Sequence, residues 1–478
     1  MTMPVKWQGV LIVQYIQAMG IIGAALSAGL LLWSLQADAV VVNTAVKRTF
    51  DLTRHIVRQV DDISFRDDDA SVATYTVAIP FDFHERLSHM SAKTDKNAVC
   101  EVVQGEKTSH TQLFHVQLPS PVLKGADGSI KVTAYFTRIL TPLPASIKQS
   151  EDQLVVFHAP HVLPSPYATV TQTTRIKLPS THIERHSTVD PVSVKGSVVT
   201  YGPYTAVPGG APPSSANELI TVHFQHNEPF LTMTSLVKEV DVSMWGRVST
   251  EEVVDVEHTG AALVGGFSRF EYSEHDAVSA SFRSFVAVLP KHAVNVYYRD
   301  QIGNITTSAL SVLSNGHTEL VLEARYPLFG GWKTQYYLGY SEPTASVLVH
   351  ANDRFRLEGH LSTCVEHAAV DDLTLKVILP QGATNVQVTA PWLHVEITHT
   401  TRRQSFLDAG RPVVILKKTN VVPAHNDVPL TVSFDYPGHY YVYREPALVV
   451  GACFGLFVVY MALTRLLNQA RQSQTKQD

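Results

Sequence analysis

The chain has 478 residues, enough for two or three domains with cores of their own. Apolar residues make up 45% of it and charged residues only 17%, below the roughly 25% of soluble domains, which points to a segment outside water. With 38 Lys and Arg against 43 Asp and Glu, a net charge of -5 and no long basic run, the electrostatic footprint of a nucleic-acid binder is missing; three cysteines without a CxxC exclude a disulfide scaffold and a Cys-only zinc cluster.

No charged residue occurs from Trp7 to Ala37. The pattern predicts a signal peptide over residues 1–39, with small-residue cleavage positions at Ala37 and Ala39. The run is longer than the usual apolar core of about 7–15 residues, so an uncleaved anchor is the alternative.

Residues 40–215 are expected to form a first β-rich domain. In it, Asp67-Asp68-Asp69 contains an Asp-x-Asp pattern but reads as a solvated loop beside Arg66. His84-Glu85 followed by His89 misses the zinc-protease helix motif, which needs the second histidine four positions on rather than five. His158 and His161 are separated by a proline and make a poor metal pair. Strands are expected to close at Leu118-Pro119, Leu178-Pro179, Leu289-Pro290 and Leu379-Pro380, because proline cannot donate to the ladder. The Pro/Gly/Ser stretch from Val207 to Asn217 continues neither strand nor helix periodicity and marks the boundary.

Residues 216–445 are expected to form a second β-rich domain. Period-two apolar sets at Leu373, Leu375, Val377 and Leu379, at Leu393, Val395 and Ile397, and at Leu430, Val432, Phe434 and Tyr436 predict half-buried strands. Ala287-Val-Leu-Pro290 with Asn295-Val-Tyr297, and Val377-Ile-Leu-Pro380 with Asn385-Val-Gln387, read as one repeated unit of strand, short connection and strand; Val77-Ala-Ile-Pro80 is a weaker copy. Asn304-Ile305-Thr306 is a sequon, which marks Asn304 as a candidate N-glycosylation site. Cys100 and Cys364 are the one cysteine pair that could meet in an oxidising compartment, since Cys453 lies in the apolar C-terminal run; geometry decides whether they bond.

From Ala447 to Thr464 there are 18 residues without a charge, about 27 Å as a helix, so a transmembrane helix is expected over 446–464. Arg465, Arg471 and Lys476 lie in the tail, 465–478, whose one acid is Asp478; the positive-inside bias makes this tail cytosolic and the bulk of the chain lumenal, a type I arrangement. Gly451 and Gly455 form a GxxxG, a candidate helix-packing face. The fold class is therefore mainly β, with two β-sandwich-like lumenal domains and one C-terminal membrane helix. No GxSxG, GxGxxG or P-loop occurs, and nothing in the chain calls for a cofactor.

Longer motifs follow one another in order: Asp241-Val-Ser-Met-Trp-Gly246, Glu257-His-Thr-Gly260, Phe267-Ser-Arg-Phe270, Tyr297-Tyr-Arg-Asp300 and Tyr326-Pro-Leu-Phe-Gly-Gly-Trp-Lys-Thr334. Val46-Lys-Arg-Thr49, Gln149-Ser150 with Val155-Val-Phe157, Ser165-Pro-Tyr167 and Tyr201-Gly-Pro-Tyr204 precede them; Gly410-Arg-Pro412 and Glu445-Pro446 follow. Together they resemble the ribophorin I family, non-catalytic subunits of the oligosaccharyltransferase complex of the endoplasmic reticulum. The resemblance implies a subunit without a catalytic site. It would support transfer of a preassembled glycan from dolichyl diphosphate to Asn in Asn-x-Ser/Thr. Its partners would be the catalytic and other subunits, nascent polypeptides, the translocon and the membrane. Gly330, Gly331, Trp332 and Lys333 read physically as a tight turn carrying an aromatic that either packs in the core or meets a partner. Some family members carry a long cytosolic helical domain where this chain has 14 residues past its apolar run, so direct ribosome contact through such a domain is not expected. Without the resemblance, a single-pass surface receptor or adhesion protein with the same topology is the rival reading.

Overall fold

The computed structural model describes residues 41–474 apart from 109, 211–218, 275–279, 315, 352–353, 404–409 and 437–438. The expected signal peptide lies outside the described residues. The strands carry two separate cores. Val41 to Phe230 supply one, centred on Phe50, Phe65, Tyr75, Phe157 and Phe224; Leu231 to Phe434 supply the other, centred on Leu236, Val254, Tyr336, Leu375 and Val432. The strand after the Pro/Gly/Ser stretch, Leu219–Gln225, pairs with Leu154–Pro160 and so still belongs to the first core.

The two halves repeat one topology. In the first, Val42–Asp51 runs antiparallel to Val57–Arg66 and parallel to Thr169–Lys177. In the second, Leu231–Val242 runs antiparallel to Arg247–His258 and parallel to Ala369–Ile378. Each five-strand set is completed by antiparallel outer neighbours, Asp127–Phe136 and Val198–Val207 in the first, Lys333–Pro343 and Arg411–Val421 in the second. A central strand with partners on both sides needs apolar residues on its inner face. Alternating Val46 and Phe50, and Met233, Leu236 and Val242, meet that need.

The expected repeat holds at atomic detail. After Phe282–Leu289, the amide of Ala293 donates to the carbonyl of Pro290 at 3.1 Å; after Ala369–Ile378, that of Ala383 donates to Pro380 at 3.1 Å. Asn295 and Asn385 both enter the next strand at positive φ, 54° and 50°, a conformation asparagine tolerates.

Two expected strand boundaries differ. Pro119 does not close its strand, which runs Thr111–Val122. The register there jumps from Gln117 to Val122 against Thr74 and Val72, so Pro119 falls in a bulge where no ladder N–H is required. Leu393 and Val395 precede their strand, Glu396–Arg402, whose seven residues are all exposed at a sheet edge. Their alternation has a different cause, because Leu393 packs on the first core and Val395 on the second.

Polar contacts join the halves. The hydroxyl of Ser88 donates to the carbonyl of Asn420 at 2.7 Å, Thr137 bonds the Asn420 side chain at 2.6 Å, and Arg138 pairs with Asp371. Ser146–Ile147 pairs in parallel with Ala262–Leu263, and the Gln149 side chain closes both backbone groups of Ser268 at 2.8 and 2.9 Å. The last element is a helix, His439–Gln474, in which Pro446–Gln469 is a 24-residue candidate span whose apolar window is not buried, about 36 Å long and able to cross a bilayer.

Candidate functional site

Strand Thr318–Leu328 turns into Lys333–Pro343 through Phe329-Gly-Gly-Trp332. The amide of Trp332 closes this turn on the carbonyl of Phe329 at 2.9 Å, and Gly331 at φ +81° takes the left-handed position. Gly330 has a separate reason to be glycine. It lies flat on the Ala261 peptide, where a Cβ would sit 2.5 Å from the carbonyl carbon and closer still to the oxygen. The Gly331 amide donates to the carbonyl of His258 at 2.8 Å, which ties the turn to Arg247–His258.

Around the turn five aromatic rings meet. Trp332 stands 5.4 Å from Phe329, 6.0 Å from Tyr326 and 6.2 Å from Phe267, and Tyr272 adds to Phe267 and Phe329 at 5.9 and 6.1 Å. Phe329 is buried, whereas Phe267 keeps 41% and Tyr326 42% of its surface, and neighbouring Phe270 keeps 70%. Trp332 is half-buried and packs on the second core. Lys333 points outward and pairs with Glu257 at 3.2 Å.

Tyr326 and Lys333 also line a cleft of about 610 Å³ with Asp300, Gln301, Ile302, Arg325 and Gln335. Asp300 organises its far wall. Its carboxylate pairs with Arg325 and accepts from the amides of Ile302 and Gly303 at 2.9 and 3.0 Å, and the Arg325 contact above all holds its pKa down to about 2. Ile305 is buried beneath this loop and leaves Asn304 and Thr306 exposed. Among the described residues no group of three His, Cys, Asp or Glu side chains stands close enough to hold a metal ion. The corner and cleft offer apolar rings, paired charges and backbone, which is the chemistry of contact.

Other residues singled out in the sequence lie elsewhere. Cys100 is buried in the first core and Cys364 packs on the second with its sulfur 3.6 Å from the Tyr340 hydroxyl; the structure has both as free thiols, in different cores. Gly451 and Gly455 lie on the exposed apolar helix. His84 ends a four-residue helix and His89 lies on the next strand, Leu87–Thr94, so they share no helix face. Asp67 is not solvated. It is buried, and its carboxylate accepts from the amides of Asp69 and Ala70 at 2.7 and 2.9 Å to build a loop.

Several motif residues prove to be internal supports. Arg48 is buried and donates to the carbonyls of Pro160 and Val162. Tyr201 donates to the carbonyl of Ser187 at 3.1 Å, and Gly202 leaves room for the carbonyl of Gln172.

Three buried histidines lie where the halves join: His55 and His226 against Phe230, at 5.7 and 5.1 Å, and His258 against Phe282 at 5.6 Å. Burial lowers all three, His55 to about 3 and His258 to about 4. A depressed histidine binds its proton more readily when unfolded, so its contribution is present above pH 6.5 and is lost as pH falls toward the folded value. At about 1.4 kcal/mol per unit, His258 alone accounts for roughly 3 kcal/mol. Denaturant unfolding from pH 7.5 to 4.5 is expected to show a falling midpoint, with a shallower fall in His258→Gln. Equal slopes would place the acid sensitivity elsewhere.

The family model described as Ribophorin I matches residues 41–464. A dolichyl-diphosphooligosaccharide–protein glycosyltransferase subunit 1B of Oryza sativa subsp. japonica is 38% identical over 357 residues, 73% of this chain and 73% of that one. Subunit 1 of Caenorhabditis elegans is 33% identical over 427 residues, 88% of this chain and 71% of that one. Among solved structures, a two-domain M1 zinc metallopeptidase aligns at a TM-score of 0.24 with 13% identity over 49% of this chain and 51% of that one, too slight a likeness to carry an argument. With the match running through both cores and into the apolar helix, the chain belongs to the ribophorin I family.

Proposed function

We propose that the chain is an accessory subunit of an oligosaccharyltransferase in the endoplasmic reticulum membrane, with no bond chemistry of its own. The observation that carries this reading is the family match from residue 41 to 464. The helix is its anchor, and the arginines after it support a cytosolic tail with both halves lumenal. The subunit aids transfer of preassembled glycan from dolichyl diphosphate to Asn-x-Ser/Thr in two ways. It presents nascent polypeptide leaving the translocon, raising the local acceptor concentration, and it joins neighbouring subunits. The Phe267, Tyr326 and Trp332 corner supports the contact role, since partly exposed aromatics on a rigid turn are what interfaces favour.

Mild-detergent purification of the tagged chain, with mass spectrometry of what accompanies it and an assay of sequon-peptide glycosylation, tests the reading. A catalytic transferase subunit near stoichiometry, with transfer activity, is the expected result. Recovery of the chain alone would favour a free surface receptor. Asn304 gives a second check: an endoglycosidase-H-sensitive glycan is expected there and is lost in Asn304→Gln, whereas a processed, resistant glycan would mean the chain leaves the compartment.

A further inference from the structure

The sequence of strands puts one end of the second half at the start of the apolar helix. Strand Leu430–Asp435 ends where Thr384 pairs with Asp435, and the helix begins four residues later at His439. Thr384 follows Ile378 by the short Pro380 turn, and Ile378 pairs with Asp241 at the end of Leu231–Val242. Arg411 locks this end by donating to Asp241 and to the carbonyls of Val242 and Leu379, both at 2.9 Å. The hairpin Ser243-Met-Trp-Gly246 therefore projects from the same end as the helix, beyond the last paired strands.

Its tip is rigid and apolar. The amide and hydroxyl of Thr344 donate to the carbonyls of Gly246 and Ser243, each at 3.0 Å, and the Trp245 amide donates to the Ser243 hydroxyl at 3.2 Å. Trp245 nevertheless keeps 60% of its surface exposed, while the other described tryptophans, Trp332 and Trp392, pack on the core. A large ring held open by a fixed turn needs an amphipathic surround, and the headgroup layer of a bilayer supplies one. The depth agrees. His439 to Glu445, seven helical residues before Pro446, rise about 10 Å and include Tyr443, so this segment suits the headgroup layer.

We propose that the Ser243–Gly246 hairpin is a second membrane contact, seating Trp245 among the lipid headgroups and holding the second half upright beside its helix. The inference rests on the reading of Pro446–Gln469 as a membrane span. Arg247–His258 would then rise from the bilayer for 11 residue steps, about 36 Å, carrying the Trp332 corner away from the lipid.

The test uses the full chain in liposomes whose lipids carry bromine at a shallow acyl position, compared with unbrominated ones. The wild-type minus Trp245→Phe difference isolates the emission of this one tryptophan, and phenylalanine at an exposed tip leaves the fold intact. Strong quenching of that difference spectrum by shallow bromine is expected. An unquenched difference, in protein that still resists carbonate extraction, would overturn the hairpin contact and leave water or a protein neighbour as the surround of Trp245. Release by carbonate would instead overturn the membrane span itself and the inference with it.

Discussion

Replacing Glu252 by alanine is expected to destabilise the second half by about 3–5 kcal/mol, the cost of leaving one member of a buried ion pair alone. Glu252 and Lys238 sit directly opposite each other on antiparallel strands, with side chains 0% and 3% exposed. Their charges are 3.3 Å apart. The Lys238 ammonium also donates to the carbonyl of Ser362 at 2.8 Å, and the Thr363 hydroxyl donates to Glu252 at 2.7 Å. The pair thus ties segment 362–363 to two central strands. Burial first, and the Glu252 charge second, push the Tyr336 phenol well above its usual range, which marks how little water reaches this interior. In Glu252→Ala the lysine loses the carboxylate it pairs with and keeps one carbonyl partner, with Glu342 as the remaining acid in electrostatic reach. The double replacement Lys238→Met with Glu252→Leu is expected to recover most of the loss, because an apolar pair removes both desolvation costs. Denaturant unfolding of the two single variants and the double one gives the coupling directly. A cost below about 1 kcal/mol for Glu252→Ala would mean that the pair is hydrated.

That pair also shows what the sequence can and cannot reveal. Val248, Thr250, Glu252, Val254 and Val256 alternate without a break and are all buried, so the phase of the pattern places Glu252 inward despite its charge. Composition alone sends it outward. The mainly β architecture, the repeated strand units and the membrane-length helix were legible because each depends on local periodicity or length. The parallel pairings of Val42–Asp51 with Thr169–Lys177 and of Leu231–Val242 with Ala369–Ile378 were not, since they join strands more than a hundred residues apart. Nor was the separation of Cys100 from Cys364, which depends on which core each strand enters. In the corner, the glycines of Phe329-Gly-Gly-Trp332 announced a turn, but Phe267 and Tyr272 come from a segment some sixty residues earlier, brought there by the Gln149 clasp on Ser268.

Gly330→Val and Trp332→Ala are expected to fail in different ways, and the difference separates architecture from recognition. A valine Cβ at 330 cannot coexist with the Ala261 carbonyl, which is backbone of the same peptide whose Ala262 amide donates to Ala145 at the start of the pairing to Ser146–Ile147. The turn or that pairing must move. The cost is about 3 kcal/mol or more, at the upper end for overpacking, because no flexible side chain can yield. The contact between halves at Ser146–Ile147 should loosen with it, read as faster hydrogen exchange over 145–148 and 261–264 than in the wild type. Trp332→Ala removes a half-exposed ring whose turn hydrogen bonds are made by backbone, so the fold should persist with a loss of about 1–2 kcal/mol. If the corner meets a partner, co-purification of neighbouring subunits or binding of acceptor peptide falls in this variant while thermal unfolding stays near that of the wild type. Should Trp332→Ala keep its partners in full, the ring serves packing, and the contact surface of the subunit lies away from the corner. Because Gly330→Val disturbs both, the tryptophan variant is the one that assigns a role to the exposed face.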